Sequence, residues 1–222
     1  MARQELVEKA EFEKAVGLKG NLGSFIISIF KFILSIILLP LVIGITKVFL
    51  QQLYRQPQYI LNNFVFAVAT YLILHIFVCQ PRSLYDFGQR IIGRLFSFFV
   101  PLRRAAYHCL PLYATLLFIL YFVFKAIFGY GNIIGYFVFL ISFTAIMHLI
   151  LTAAYLKGES LGVLKGDYFL SLFFVYLFEI ILISGFLSVI LKGFSFVDPV
   201  KDGYNFFVNT HISIWRQFFV LK

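Results

Sequence analysis

An all-α polytopic membrane protein is the fold class this sequence predicts, and three observations predict it. Of 222 residues, 61% are hydrophobic and 13% are charged, about half the charged share of an ordinary soluble domain. The 30 Phe and 13 Tyr suit lipid faces and interfacial belts. Five apolar runs, at about 24–49, 60–79, 110–128, 133–154 and 168–191, have the length needed to cross about 30 Å of hydrocarbon.

Residues 1–23 read as a cytosolic helix and linker. Glu5 and Lys9 form a favourable i,i+4 pair within 2–16, and the glycines of 17–23 then break the helix. Leu-Lys-Gly recurs at 18–20, 156–158, 164–166 and 191–193. Lys beside free carbonyls followed by Gly is a helix stop, so these are punctuation. The first segment is charged and its apolar run too long for a cleavable leader, so the first span is expected to be retained.

Residues 24–191 form the expected five-helix membrane domain. Pro40 in the first span withholds a donor from the Ile36 carbonyl and predicts a kink. Only Gly129-Tyr-Gly-Asn132 joins the third and fourth spans, which makes them an antiparallel hairpin. Between the second and third lies a predicted amphipathic helix at about 84–100, opened by a Ser83/Asp86 capping box and stopped by Pro101. Asp86, Arg90, Arg94 and Ser97 form one polar stripe on an otherwise apolar helix, the pattern of a helix in the headgroup plane. A re-entrant span is the competing reading. It is opposed by Arg90 and Arg94, each costing about 2.5–3.5 kcal/mol at mid-bilayer.

Lys and Arg concentrate in segments 1–23, 80–109 and 155–167, so the N-terminus is expected on the cytoplasmic side and the C-terminus outside. Residues 192–222 are then a short outer-face segment. Val208, Ile212, Trp215 and Phe219 share a helical face, which predicts an interfacial helix, or second a segment docked on a partner. A bacterial cytoplasmic membrane, or an organellar one, is the expected location.

The net charge of +9 lies between apolar runs, so anionic headgroups explain it and nucleic acid does not. Arg90, Arg94, Arg103 and Arg104 are the candidate contacts to such lipids. Cys79 and Cys109 stand in no CxxC or Cys/His cluster, and no metal or cofactor is expected. No GxSxG, HExxH or phosphate-cradling glycine loop occurs, and no catalytic residue is assigned.

Ionisable residues inside spans are costly and mark candidate sites. Lys47, Lys125 and His75 lie near span ends, where they reach the headgroups. Glu179 lies near mid-span, where a carboxyl must be neutral or paired. Ser24, Ser28, Lys31 and Ser35 form one polar face of the first span, and Thr144, His148 and Thr152 form one of the fourth. Ser184 and Ser188 are a small-xxx-small pair suited to close packing. Lys31, His148 and Glu179 therefore form the candidate intramembrane polar cluster, serving either to pack helices or to line a solute or proton path. The expected function is a non-catalytic membrane subunit or scaffold of a larger assembly serving lipid, solute or protein transport, with protein partners or further copies of itself. The alternative is a small permease or channel component built around those three residues.

Overall fold

Long runs that are apolar on all sides become helices, which satisfy their backbone polar groups within the segment, and the computed structural model shows seven helices among the described residues. It describes residues 2–77, 81–98, 108–128, 133–159 and 166–219; the side chains of 2–22, Ser24, Phe128, Glu159 and Asp167 lie outside that description. The helices are α1 (Ala2–Tyr54), α2 (Gln58–Phe77), α3 (Arg82–Leu95), α4 (Leu112–Phe128), α5 (Ile133–Glu159), α6 (Gly166–Ile190) and α7 (Val197–Phe219). Four contain stretches long and apolar enough to cross a membrane: Phe25–Tyr54, Gln58–Phe77, Ile133–Gly158 and Tyr168–Ile190. α4 is a shorter apolar helix of 17 residues, about 26 Å long. Phe66, Ile76, Phe77 and Ile127 are all more than 60% exposed. Water would not tolerate an apolar surface on that scale, whereas lipid does.

The bundle is built on α1 and α5. α1 runs parallel to α6, with Phe32 against Phe169 and, further along, Thr46 against Tyr176. α5 runs parallel to α2, where Gly135 admits Asn63 and Phe143 meets Tyr71 edge-on. α4 is antiparallel to α5, through Tyr121 and Phe124 against Phe137 at one end and Tyr113 near Thr144 at the other. The loop predicted to join them lies outside the described residues. The main core gathers at the end where α1 stops: Phe49, Leu53, Ile60, Val138, Ile141 and Leu187 are almost fully enclosed. A smaller cluster of Tyr71, Tyr85, Met147 and Leu151 fills the other end.

Three expectations are corrected. The break at 17–23 is absent from the backbone, because α1 is helical from Ala2 onward. A glycine inside a helix costs only about 1 kcal/mol, so Leu-Lys-Gly stops a helix only where nothing prolongs it. Nor does the Ser83/Asp86 capping box open α3. Pro81 occupies the N-cap without a side-chain cap bond, and the helix ends at Leu95 rather than near 100. Its inner face of Tyr85, Gly88, Gln89 and Ile92 is buried, while Asp86, Arg90 and Arg94 are exposed. The segment therefore docks on α4 and α5 along one edge and keeps its polar stripe outside.

The third correction concerns 192–222, expected as a surface segment. Gly193, at φ +78°, turns the chain after α6, a conformation that favours glycine. The Ser195 N–H donates to Gln52 Oε1 at 2.6 Å, and the Ser195 hydroxyl accepts from the Asp198 N–H. From there α7 runs back along α1, antiparallel to it, crossing it closely where Gly203 meets Gly44 and Ile45. The contact is backbone to backbone: a Cβ on Gly203 would lie 2.9 Å from the Ile45 nitrogen. Glycine allows this approach, as at small-residue helix crossings in membranes. α7 carries a narrow docking face, Pro199, Gly203 and Phe207, beside two exposed ones.

Gly203→Val is expected to force α7 off α1 and to cost about 1–3 kcal/mol through overpacking, read as a lower melting temperature of the detergent-solubilised protein. An unchanged melting temperature would show that the crossing is looser than described.

Candidate functional site

Glu179 sits on the α6 face turned into the bundle, with only 4% of its surface exposed. A carboxyl so placed needs a partner from the protein, since lipid provides none. α5 provides it: His148 Nδ1 lies 3.3 Å from Glu179 Oε2, and His148 is itself buried. With one proton between them, on either group, the pair is neutral overall. The other carboxylate oxygen, Oε1, and His148 Nε2 have no hydrogen-bond partner among the described residues.

Polar contacts extend from this pair in two directions. One turn along α5, the fully buried Thr152 hydroxyl pairs with Tyr85 of α3 at 2.9 Å, and the Tyr85 ring lies 5.9 Å from the His148 ring. Gln89, one turn after Tyr85, is 1% exposed and its Oε1 is unpaired. On the other side, Tyr176 lies one turn before Glu179 and bonds Thr46 of α1 at 2.7 Å. Beside Glu179, Tyr176 and Thr46 is a chamber of about 120 Å³ lined also by Leu50, Ser142, Ala145 and Leu149. Ser142 is 1% exposed and its hydroxyl is also unpaired.

Of the three residues the sequence groups together, the structure brings His148 to Glu179 and sets Lys31 elsewhere. Phe32, next to Lys31, packs on Phe169, ten residues or about 15 Å along the helix from Glu179. α1 extends well before Ser24, and its packing against α6 sets the register that holds Lys31 away. Ser28 and Ser35 of that polar face are buried, Ser35 donating to the Lys31 carbonyl. Ser184 likewise donates to the Ile180 carbonyl of its own helix. Lys47 is exposed and its ammonium lies 5.7 Å from the Phe206 ring, while Lys125 rests over Tyr121. Of the candidate lipid contacts, Arg90 and Arg94 are exposed on α3, with Arg90 over Phe87. Arg103, Arg104 and Cys79 lie outside the described residues.

Sequence reasoning missed Tyr85, Gln89, Ser142, Thr46 and Tyr176. Only Gln89 carried a signal, a polar side chain on the apolar edge of an amphipathic helix. The others are single hydroxyls whose partners lie on other helices. Among the described residues no three His, Cys, Asp or Glu side chains gather as a metal site would require. No family model, curated protein or solved structure matches this chain.

Tyr85→Phe leaves the Thr152 hydroxyl buried without its partner and is expected to cost about 1–3 kcal/mol. Adding Thr152→Val should recover part of that loss, because both polar groups are then gone. A double-mutant cycle on melting in detergent measures it, and strictly additive losses would show that the bond contributes nothing.

Proposed function

We propose that this chain is a non-catalytic integral membrane subunit, or scaffold, of a larger membrane assembly. The observation that carries this reading is the uncovered surface of α7. Asp202, Asn205, Asn209 and Arg216 are exposed along it, as are Ile212, Trp215, Phe218 and Phe219. This helix lies beside the lipophilic α1, whose stretch Phe25–Tyr54 is long and apolar enough to cross a membrane. Amide and charged side chains at that level are unfavourable against hydrocarbon, and a neighbouring protein helix would satisfy them. The docked edge of α3 adds a second outward feature, the Arg90 and Arg94 stripe, suited to anionic headgroups at the same face as the other cytoplasmic basic residues.

In this reading α1, α2, α4, α5 and α6 cross the membrane with the N-terminus on the cytoplasmic side, as the Lys and Arg distribution favours. α7 then returns from the outer end along α1, which directs the C-terminus back toward the cytoplasmic side instead of outside. The membrane of a bacterial cell, or of an organelle, is the proposed location. A second reading, a small permease component, is favoured by one observation: the His148–Glu179 pair bordering a chamber with unpaired polar atoms.

Mild-detergent purification is expected to bring along a second membrane protein or further copies of this chain, and Asn205→Leu with Asn209→Leu should reduce that recovery several-fold. A monomer whose recovery and composition ignore both changes would overturn the subunit reading. For topology, cysteines introduced near residues 10 and 222 are expected to label from one side and one near 131 from the other. Labelling of 10 and 222 from opposite sides would remove the return path for α7. Arg90→Glu with Arg94→Glu is expected to weaken binding to anionic vesicles at low salt while leaving neutral vesicles unaffected; equal binding to both would reject a lipid role for α3.

A further inference from the structure

The chamber beside Glu179 has features that helix packing alone does not require. Two side chains more than nine-tenths buried, Glu179 and Ser142, line it and leave oxygen atoms there without partners. Buried polar atoms left unsatisfied are costly, and a native protein normally pairs them with protein, water or ligand. The remaining wall is apolar, from Phe49, Phe64, Ala145, Leu149, Ile180 and Ile183. Leu50, also in the lining, is 38% exposed on the lipophilic stretch of α1. That lining residue is where the chamber comes nearest the lipophilic face of α1.

We propose that this chamber, between α1, α2, α5 and α6, binds a primary alkylamine entering from the bilayer, with the ammonium on Glu179 Oε1 and Ser142 Oγ and with release of one proton from the Glu179–His148 pair. The inference goes beyond the subunit reading and does not depend on it.

Size, polarity and charge each select the ligand. An apolar cavity of about 150 Å³ admits benzene, so this one takes an amine head and roughly four or five carbon atoms, a longer tail leaving past Leu50. Both free oxygens accept hydrogen bonds, and an ammonium is all donor. The titratable groups facing Glu179 are His148 from α5, Tyr176 from α6, Tyr85 from α3 beside His148, and Cys109 just before α4, within electrostatic reach. Among the described residues no lysine or arginine lines the chamber, which disfavours carboxylates and phosphates, phospholipid headgroups included. One carboxylate and one imidazole are too few ligands for a metal.

Charge balance sets the proton stoichiometry. With one proton on the pair, as carboxyl and imidazole or as carboxylate and imidazolium, it is neutral before binding. An ammonium arriving without compensation would leave a net positive charge in a dry interior, which is strongly unfavourable. If the shared proton leaves, carboxylate, neutral imidazole and ammonium together are neutral again. No bond other than the one to that proton is broken. Because a proton is released, affinity rises with pH through the range where the pair gives it up.

The test uses the full chain in detergent with hexylamine, hexanol and hexanoate, followed by thermal unfolding and titration calorimetry in two buffers of different ionisation heat. Hexylamine is expected to stabilise saturably, more strongly as pH rises, with close to one proton released per amine. Hexanol and hexanoate should not do so. Glu179→Gln is expected to lower amine affinity at least about ten-fold. Ala145→Leu, which fills the chamber and leaves the pair intact, should do the same and decides the matter if the first variant does not fold. Equal stabilisation by hexanol, binding without proton release, binding that survives Ala145→Leu, or no amine effect because water alone fills the space would each overturn the proposal.

Discussion

A carboxyl group in the middle of an apolar bundle can find hydrogen bonds only within the protein, and much of the interior follows from where Glu179 finds them. Pairing with His148 fixes the rotation of α6 against α5. The same α5 face carries Thr152, which holds α3 through Tyr85, and the same stretch of α6 carries Tyr176, which holds α1 through Thr46. Four helices are thus aligned by three polar contacts, while apolar packing at the other end supplies bulk without direction. A single such bond contributes on average only about 0.6 kcal/mol. The larger effect is the penalty for leaving any of these groups unpaired, which excludes other rotations of the same helices.

That constraint gives the two ends of the bundle different characters. Around Leu53, Ile60 and Leu187 the core is mostly apolar, with the buried Gln52 keeping Nε2 unpaired and the Glu179 chamber bordered by Phe49, Ile180 and Ile183 of the same core. Around Tyr71, Tyr85 and His148 it is aromatic and polar, with Gln89, His148 and Ser142 each keeping an unpaired atom. Polar interior groups without full satisfaction lower local stability, and in membrane proteins they coincide with sites of exchange. The proposed subunit role and the proposed amine site therefore occupy separate regions. In those proposals partners would meet the outer face of α7, and a small ligand the chamber inside.

α1 mediates between them. It presents apolar residues such as Phe30, Ile33 and Ile36 outward, packs on α6 along one side, and admits α7 through the bare backbone at Gly44. A helix with any side chain at residue 203 would stand further off, and the Gln52–Ser195 contact that starts α7 would be strained. The position of the polar α7 face beside a lipophilic helix is thus a consequence of two glycines and one buried glutamine.

Composition and periodicity alone determined the all-helical membrane class, the existence of most helices, the outward stripe of α3 and the isolation of Glu179 as the costly group, because each depends on residues near in sequence or on bulk solvent preference. The choice of His148 over Lys31 was left to tertiary structure. Both are polar and on inward faces, and only the register of α1 against α6, set by packing over its full length, removes Lys31 from reach. Ser142, Thr46 and Tyr176 became a site in the same way, as lone hydroxyls converging from α5, α1 and α6. The course of the C-terminal segment was likewise decided by the fold. Its return along α1 is legible only once Gly203 is seen against Ile45, since a backbone contact between helices more than 150 residues apart leaves no local pattern.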